Sequence, residues 1–131
     1  MQRHIDAIVR HPLVDVESIK QKHYKIVVDT INSTGALFLP PLLKALGVED
    51  VILLNEEING RFAHNPEPVP ENLSGLSAAV QKSKASLGIA VDPDVDRLCF
   101  VCEDGSMFGE EYTLVAVADY GLSRRPGNKI G

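Results

Sequence analysis

Two short apolar runs, Leu87–Val91 and Leu98–Cys102, are separated only by Asp92-Pro93-Asp94-Val95-Asp96-Arg97. A parallel crossover needs a dozen or more residues, so a connection this short makes the two runs antiparallel neighbours.

Upstream, Lys25-Ile26-Val27-Val28-Asp29 reads as a buried first strand that ends in a small, polar loop from Thr30 to Gly35. Val51–Leu54 reads as a second strand. Helical spacing marks Ile5, Ile8 and Val9 in the segment from Met1 to His11, which Pro12 stops. It also marks Leu73, Leu76 and Val80 between Pro70 and Lys84. The apolar segment from Gly35 to Leu46 closes at Gly47, and Pro40 and Pro41 predict a helix kinked or begun at those prolines. A last helix from Glu110 to Leu122 is apolar on most sides, with its two glutamates at the positive end. Strands alternating with helices predict a three-layer α/β/α domain on a small mixed sheet. That sheet has about four strands, mostly parallel, with a final antiparallel strand. The domain is expected over residues 1–125, and 126–131 reads as a linker into a further domain.

Asn55 to Pro70 is a long irregular stretch with three prolines and Gly60. Loops of that length in compact domains are usually functional. Arg61, His64, Asn65 and Glu67 lie in it without an assignable role, and His64 reads as a solvated surface histidine. Cys99 and Cys102, the only cysteines, sit three apart in a strand and so face opposite sides, which makes them reduced structural thiols.

Thirteen basic against eighteen acidic residues give a net charge of −5, and the basic residues are scattered, which argues against nucleic acid as a partner. No apolar run approaches the ~20 residues of a membrane span, so a cytoplasmic protein with no membrane partner is expected.

On a straight strand Asp92 and Asp96 would stand ~13 Å apart, out of reach of one ion. Pro93 disfavours continued pairing, so the loop can curl and aim three carboxylates inward. Oxygen ligands select a hard cation such as magnesium, which takes about six oxygens and keeps waters or phosphates among them. The site would lie beyond the carboxyl end of Leu87–Val91, where open α/β sheets place ligands. Other readings stay open: solvated loop aspartates, or an EF-hand with Glu103 at position twelve. That EF-hand would have Arg97 in place of the glycine at position six, and strands rather than helices on its flanks. The Asp-x-Asp after an apolar strand also resembles a haloacid-dehalogenase-like phosphatase, although Asp96 and the short hairpin depart from that pattern.

Gly88-Ile89-Ala90-Val91-Asp92-Pro93-Asp94-Val95-Asp96-Arg97 resembles the metal loop of the α-D-phosphohexomutases, D-G-D-x-D-R. Asp29 to Gly35, Leu46-Gly47, Gly60-Arg61-Phe62, Pro66-Glu67-Pro68 and Glu71-Asn72-Leu73 resemble that family's second domain in the same order, over nearly the whole chain. The resemblance implies a four-domain enzyme in which a phosphoserine of the first domain exchanges phosphate with a hexose through a bisphosphorylated sugar. It implies Asp92, Asp94 and Asp96 as magnesium ligands and Arg97 beside the phosphate. Pro93 replaces the family's usual glycine. Ala63-His64-Asn65-Pro66 echoes the family's serine loop but has no hydroxyl nucleophile, so this chain alone is expected to be inactive. Its partners would be the missing domains and a hexose phosphate.

Overall fold

The computed structural model describes residues 1–124 and confirms a three-layer α/β/α arrangement. In chain order the elements begin with α1 (Gln2–Val9), α2 (Val16–Gln21), β1 (Lys25–Asp29), α3 (Gly35–Ala45) and β2 (Asp50–Leu54). After the irregular segment and a 3₁₀ turn (Pro70–Asn72) come α4 (Ser74–Ser83), β3 (Leu87–Val91), β4 (Leu98–Cys102), β5 (Met107–Phe108) and α5 (Glu110–Arg124). The sheet order is β2-β1-β3-β4-β5. β1 pairs in parallel with β2 and β3, whereas β3 pairs antiparallel with β4 and β4 with β5.

β1 lies inside the sheet between β2 and β3, and its middle residues are apolar without alternation because both of its faces are covered. Val27 packs on the α4 side with Leu76, Val80, Ala90 and Val101. Ile26 and Val28 pack on the α3 side with Leu39, Leu43, Val48 and Val91. Gly88 lets α4 approach the sheet: a Cβ there would stand 2.8 Å from Val80 Cγ2 and 3.1 Å from Leu76 Cδ1.

Three local outcomes differ from the sequence expectations. α3 begins at Gly35, ahead of the prolines, and runs unbroken to Ala45. Pro40 and Pro41 remove only the donors that would meet the carbonyls of Ala36 and Leu37, and Leu37 is exposed, where water substitutes. The helix then ends in a Schellman motif, with Gly47 at φ +89°, Gly47 N–H donating to Lys44 O and Val48 N–H to Leu43 O. The second difference is that the segment from Pro70 opens as a 3₁₀ turn and becomes α-helical only at Ser74. The third is that α2 and the two-residue β5 were not expected, both being too short to show a period. The proposed linker, 126–131, lies outside the described residues.

Cys99 packs toward the α4 side and Cys102 lines the opposite side with Phe100 and Phe108. Neither forms a disulfide.

Candidate metal centre

The hairpin loop between β3 and β4 begins with a buried residue. Asp92 is 1% exposed and its carboxylate organises the turn: Oδ1 accepts the backbone N–H groups of Asp96 at 3.1 Å and Arg97 at 3.0 Å. Val95 N–H closes on Asp92 O at 3.0 Å, and Val95 itself sits at φ +60°, a left-handed conformation unfavourable for a β-branched side chain. Its side chain packs toward the α3-side core, which holds it there. This reversal turns an extended D-x-D-x-D into a bowl, so that the Asp92, Asp94 and Asp96 carboxylates offer oxygens within 4.8 Å of one another.

Opposite ligands of an octahedral magnesium lie ~4.2 Å apart, so this donor set suits a small hard cation after a tightening of a few tenths of an ångström. Asp94 and Asp96 are exposed, which leaves the outer side open to water or to a phosphate oxygen. The three residues therefore fit the ion expected from their chemistry.

The charges of the loop act directly on one another. Burial opposes ionisation of Asp92, but hydrogen bonds from the Arg97 side chain and backbone overcome it and hold the carboxyl at about 2. The hydrogen bond shared with Asp92, burial, and repulsion from Asp92 and Asp94 push the Asp96 carboxyl upward. Arg97 Nε donates to Asp92 Oδ2 at 2.8 Å, and its terminal nitrogen stands 3.8 Å from Glu67 Oε1. The Arg97 side chain remains 57% exposed, so part of it is open to solvent. A cavity of 120 Å³ opens beside it, lined by Glu67, Pro68, Val69, Arg97, Leu98 and Cys99.

Two further segments brace the loop, and neither was assigned a role from the sequence. The hydroxyls of Ser33 and Thr34 both donate to Pro93 O at 2.8 Å, tying the loop to the start of α3. Asp29, at the carboxyl end of β1 and 3% exposed, accepts from Ile31 N–H and Asn55 Nδ2 through Oδ1, while its Oδ2 lies 2.6 Å from His64 Nε2. His64 is therefore not a solvated histidine. No sequence period links residues 35 apart, so only the fold reveals the pair. Asn65 caps the next turn by accepting Glu67 N–H, and Glu67 faces Arg97. Arg61 is exposed, with its backbone N–H on Asn59 Oδ1.

The hairpin bears on the competing readings. No helix follows the aspartates directly, as a haloacid-dehalogenase-like site would require, and the strands flanking the loop exclude an EF-hand. The family model described as phosphoglucomutase/phosphomannomutase, alpha/beta/alpha domain II, matches residues 2–105. The chain belongs to that family. A phosphoglucomutase/phosphomannomutase of Thermococcus kodakarensis is 42% identical over 118 residues, which are 89% of this chain and 26% of that protein. A probable phosphoglucosamine mutase of Methanopyrus kandleri is 37% identical over 128 residues, 97% of this chain and 27% of that protein. The crystal structure of a phosphoglucomutase/phosphomannomutase family protein from Burkholderia thailandensis superposes with a TM-score of 0.81 at 34% identity, over 96% of this chain and 26% of that one. This phosphohexomutase domain thus spans about a quarter of the length of the relatives it matches.

Proposed function

We propose that this chain is the magnesium-binding domain of a phosphohexomutase, which moves a phosphoryl group between the 1- and 6-positions of a hexose through a phosphoserine and a bisphosphorylated sugar. The observation that carries this reading is the convergence of the Asp92, Asp94 and Asp96 carboxylates within 4.8 Å at the carboxyl end of β3. In the family the corresponding loop is the metal loop. When bound there, magnesium would supply positive charge to a phosphoryl oxygen. Asp92 would hold the ion from the buried side, and Asp94 and Asp96 from the open side. Arg97 would present the free side of its guanidinium to the phosphate, a planar fork suited to phosphoryl oxygens.

The nucleophile is assigned to a domain outside this chain, because Ala63 stands where the echo of the serine loop would need a hydroxyl. The partners are accordingly the other domains and a hexose phosphate. Two features support them: the 120 Å³ cavity beside Arg97 is small against ordinary ligand pockets, and Leu114, Val115 and Val117 of α5 are exposed apolar residues. A cytoplasmic setting accords with the two unbridged cysteines, and no helix among the described residues is long and apolar enough to cross a membrane.

Calorimetric titration with magnesium and with manganese tests the metal assignment. The 131-residue chain is expected to bind either ion weakly, since the phosphoserine ligand is elsewhere, and an Asp94→Asn, Asp96→Asn double variant is expected to lose binding. Unchanged binding in that variant would remove the site.

A further inference from the structure

Both ring nitrogens of His64 face acceptors. Nε2 lies 2.6 Å from Asp29 Oδ2, and Nδ1 lies 2.7 Å from the carbonyl oxygen of Asn65. A neutral imidazole has one N–H and one lone pair, so in either tautomer it would set a lone pair against an oxygen at one of these contacts. Two arrangements satisfy both: an imidazolium, or a protonated Asp29. The other oxygen of Asp29 accepts Ile31 N–H at 3.0 Å and Asn55 Nδ2 at 2.9 Å, and donors of that kind favour the carboxylate. The extra proton therefore belongs on the ring.

This pair sits where the irregular segment after β2 meets the carboxyl end of β1. Ala63 N–H, on one side of His64, donates to Asn32 Oδ1 at 3.1 Å, and Asn32 Nδ2 donates to Glu57 O at 3.0 Å. On the other side, Asn65 Oδ1 accepts Glu67 N–H at 3.1 Å, and the Glu67 carboxylate stands 3.8 Å from Arg97. Ile31 and Asn32, which follow Asp29, and Asn55, which follows β2, all have positive φ (48°, 55° and 55°). Non-glycine residues persist there only where their surroundings hold them. A buried carboxylate that binds two of these residues, Ile31 and Asn55, and one ring is the anchor of the segment.

We propose that His64 is a positioning residue: as an imidazolium on Asp29 it pins the segment 55–70 to the end of β1, and thereby sets Glu67 against Arg97 beside the aspartate loop. The ion pair does not depend on the mutase reading; only the consequence for a phosphate at Arg97 rests on it. Among the described residues, the charged group facing His64 is Asp29 from β1. The end of β2 contributes the uncharged Asn55 through Asp29, and the following turn contributes the uncharged Asn65. Burial disfavours the charged ring, but the hydrogen bonds to Asp29 and to the Asn65 carbonyl, with the charge of Asp29, outweigh it and raise His64 above its ordinary 6.5. The pin is thus complete below that value and released as pH rises through the raised one.

Imidazole nitrogen-15 spectra of the 131-residue chain read the protonation directly, and amide exchange reads the pin. Both His64 nitrogens are expected to carry protons at pH 6.5, with a titration midpoint above that of a free histidine. On crossing that midpoint, the amides of Ala63 and Glu67 should exchange ~10-fold faster than base catalysis alone accounts for, while those of Val27 and Val28 hold. His64→Gln keeps one donor for Asp29 but cannot be charged. It should show the high-pH exchange of these amides at every pH, and Asp29→Asn should bring the His64 midpoint back down. A His64 that is a single neutral tautomer at pH 6.5, or amide protection in His64→Gln that matches the native chain below the midpoint, overturns the proposal. The glutamine variant decides the matter even if Asp29→Asn fails to fold.

Discussion

On the proposed function, Arg97 would divide one guanidinium between two tasks. Its Nε holds the buried Asp92 carboxylate at 2.8 Å, and its exposed face is assigned to a phosphate. A lysine keeps the charge but not the fork, so Arg97→Lys is expected to lower kcat/KM of the full-length enzyme at least ~10-fold, equivalent to ~1.4 kcal/mol. The same change removes the side-chain hydrogen bond that depresses Asp92, whose carboxyl should rise from about 2 toward the ordinary range in a carbon-13 NMR titration. Normal turnover at saturating magnesium would leave Arg97 as a residue that only neutralises the loop. At His64 the sign of the pH dependence is fixed by its raised pKa: the stability it contributes is complete below 6.5 and disappears at higher pH. The melting temperature of His64→Gln should therefore fall below the native value in mild acid and approach it in mild alkali. Identical melting curves across that range would show the pair to be energetically silent.

Loop and helix act together at the scale of the element. The Ser33 and Thr34 hydroxyls meet on Pro93 O, so the start of α3 holds the aspartate loop through its backbone. Removing both with Ser33→Ala and Thr34→Ala leaves a carbonyl at a partly open edge, where water can replace the donors, so the fold should persist. Calorimetry should show weaker magnesium binding, because the loop must then be ordered by the ion itself; unchanged affinity would mean that Val95 and Asp92 hold the loop alone. Gly88 concerns the opposite layer. A Cβ placed there meets both Val80 and Leu76, so Gly88→Ala is expected to destabilise the domain by roughly 1–3 kcal/mol in urea unfolding, through displacement of α4. The aspartate loop, at the far end of β3, should bind magnesium as it does in the native chain. The elements most legible from sequence were β1, β3 and β4, where continuous apolar runs meet polar loops. The start of α3 was less so, because two prolines inside a helix are tolerated when the carbonyls they orphan lie toward water.

As a whole molecule, the domain has its own two-sided core, with apolar clusters on both faces of the sheet. The chain alone is expected to show no turnover of glucose 1-phosphate, mannose 1-phosphate or glucosamine 6-phosphate, measured with purified protein. Genuine turnover would mean that a nucleophile lies within these 131 residues. α5 points the same way, since its exposed Leu114, Val115 and Val117 form a surface that soluble domains usually cover. The sequence by itself determined the layer order, the antiparallel hairpin and the three aspartates with Arg97. These are matters of local spacing: a six-residue connection admits one pairing, and alternating carboxylates announce themselves. Tertiary structure alone decided which oxygens converge, through the left-handed turn at Val95, and what braces them. It also decided that His64 meets Asp29 and that Ser33 and Thr34 meet Pro93. Those contacts join residues 35 to 60 positions apart. No periodicity connects such distant positions; the pairing of β1 with β3 and the path of the segment after β2 bring them together.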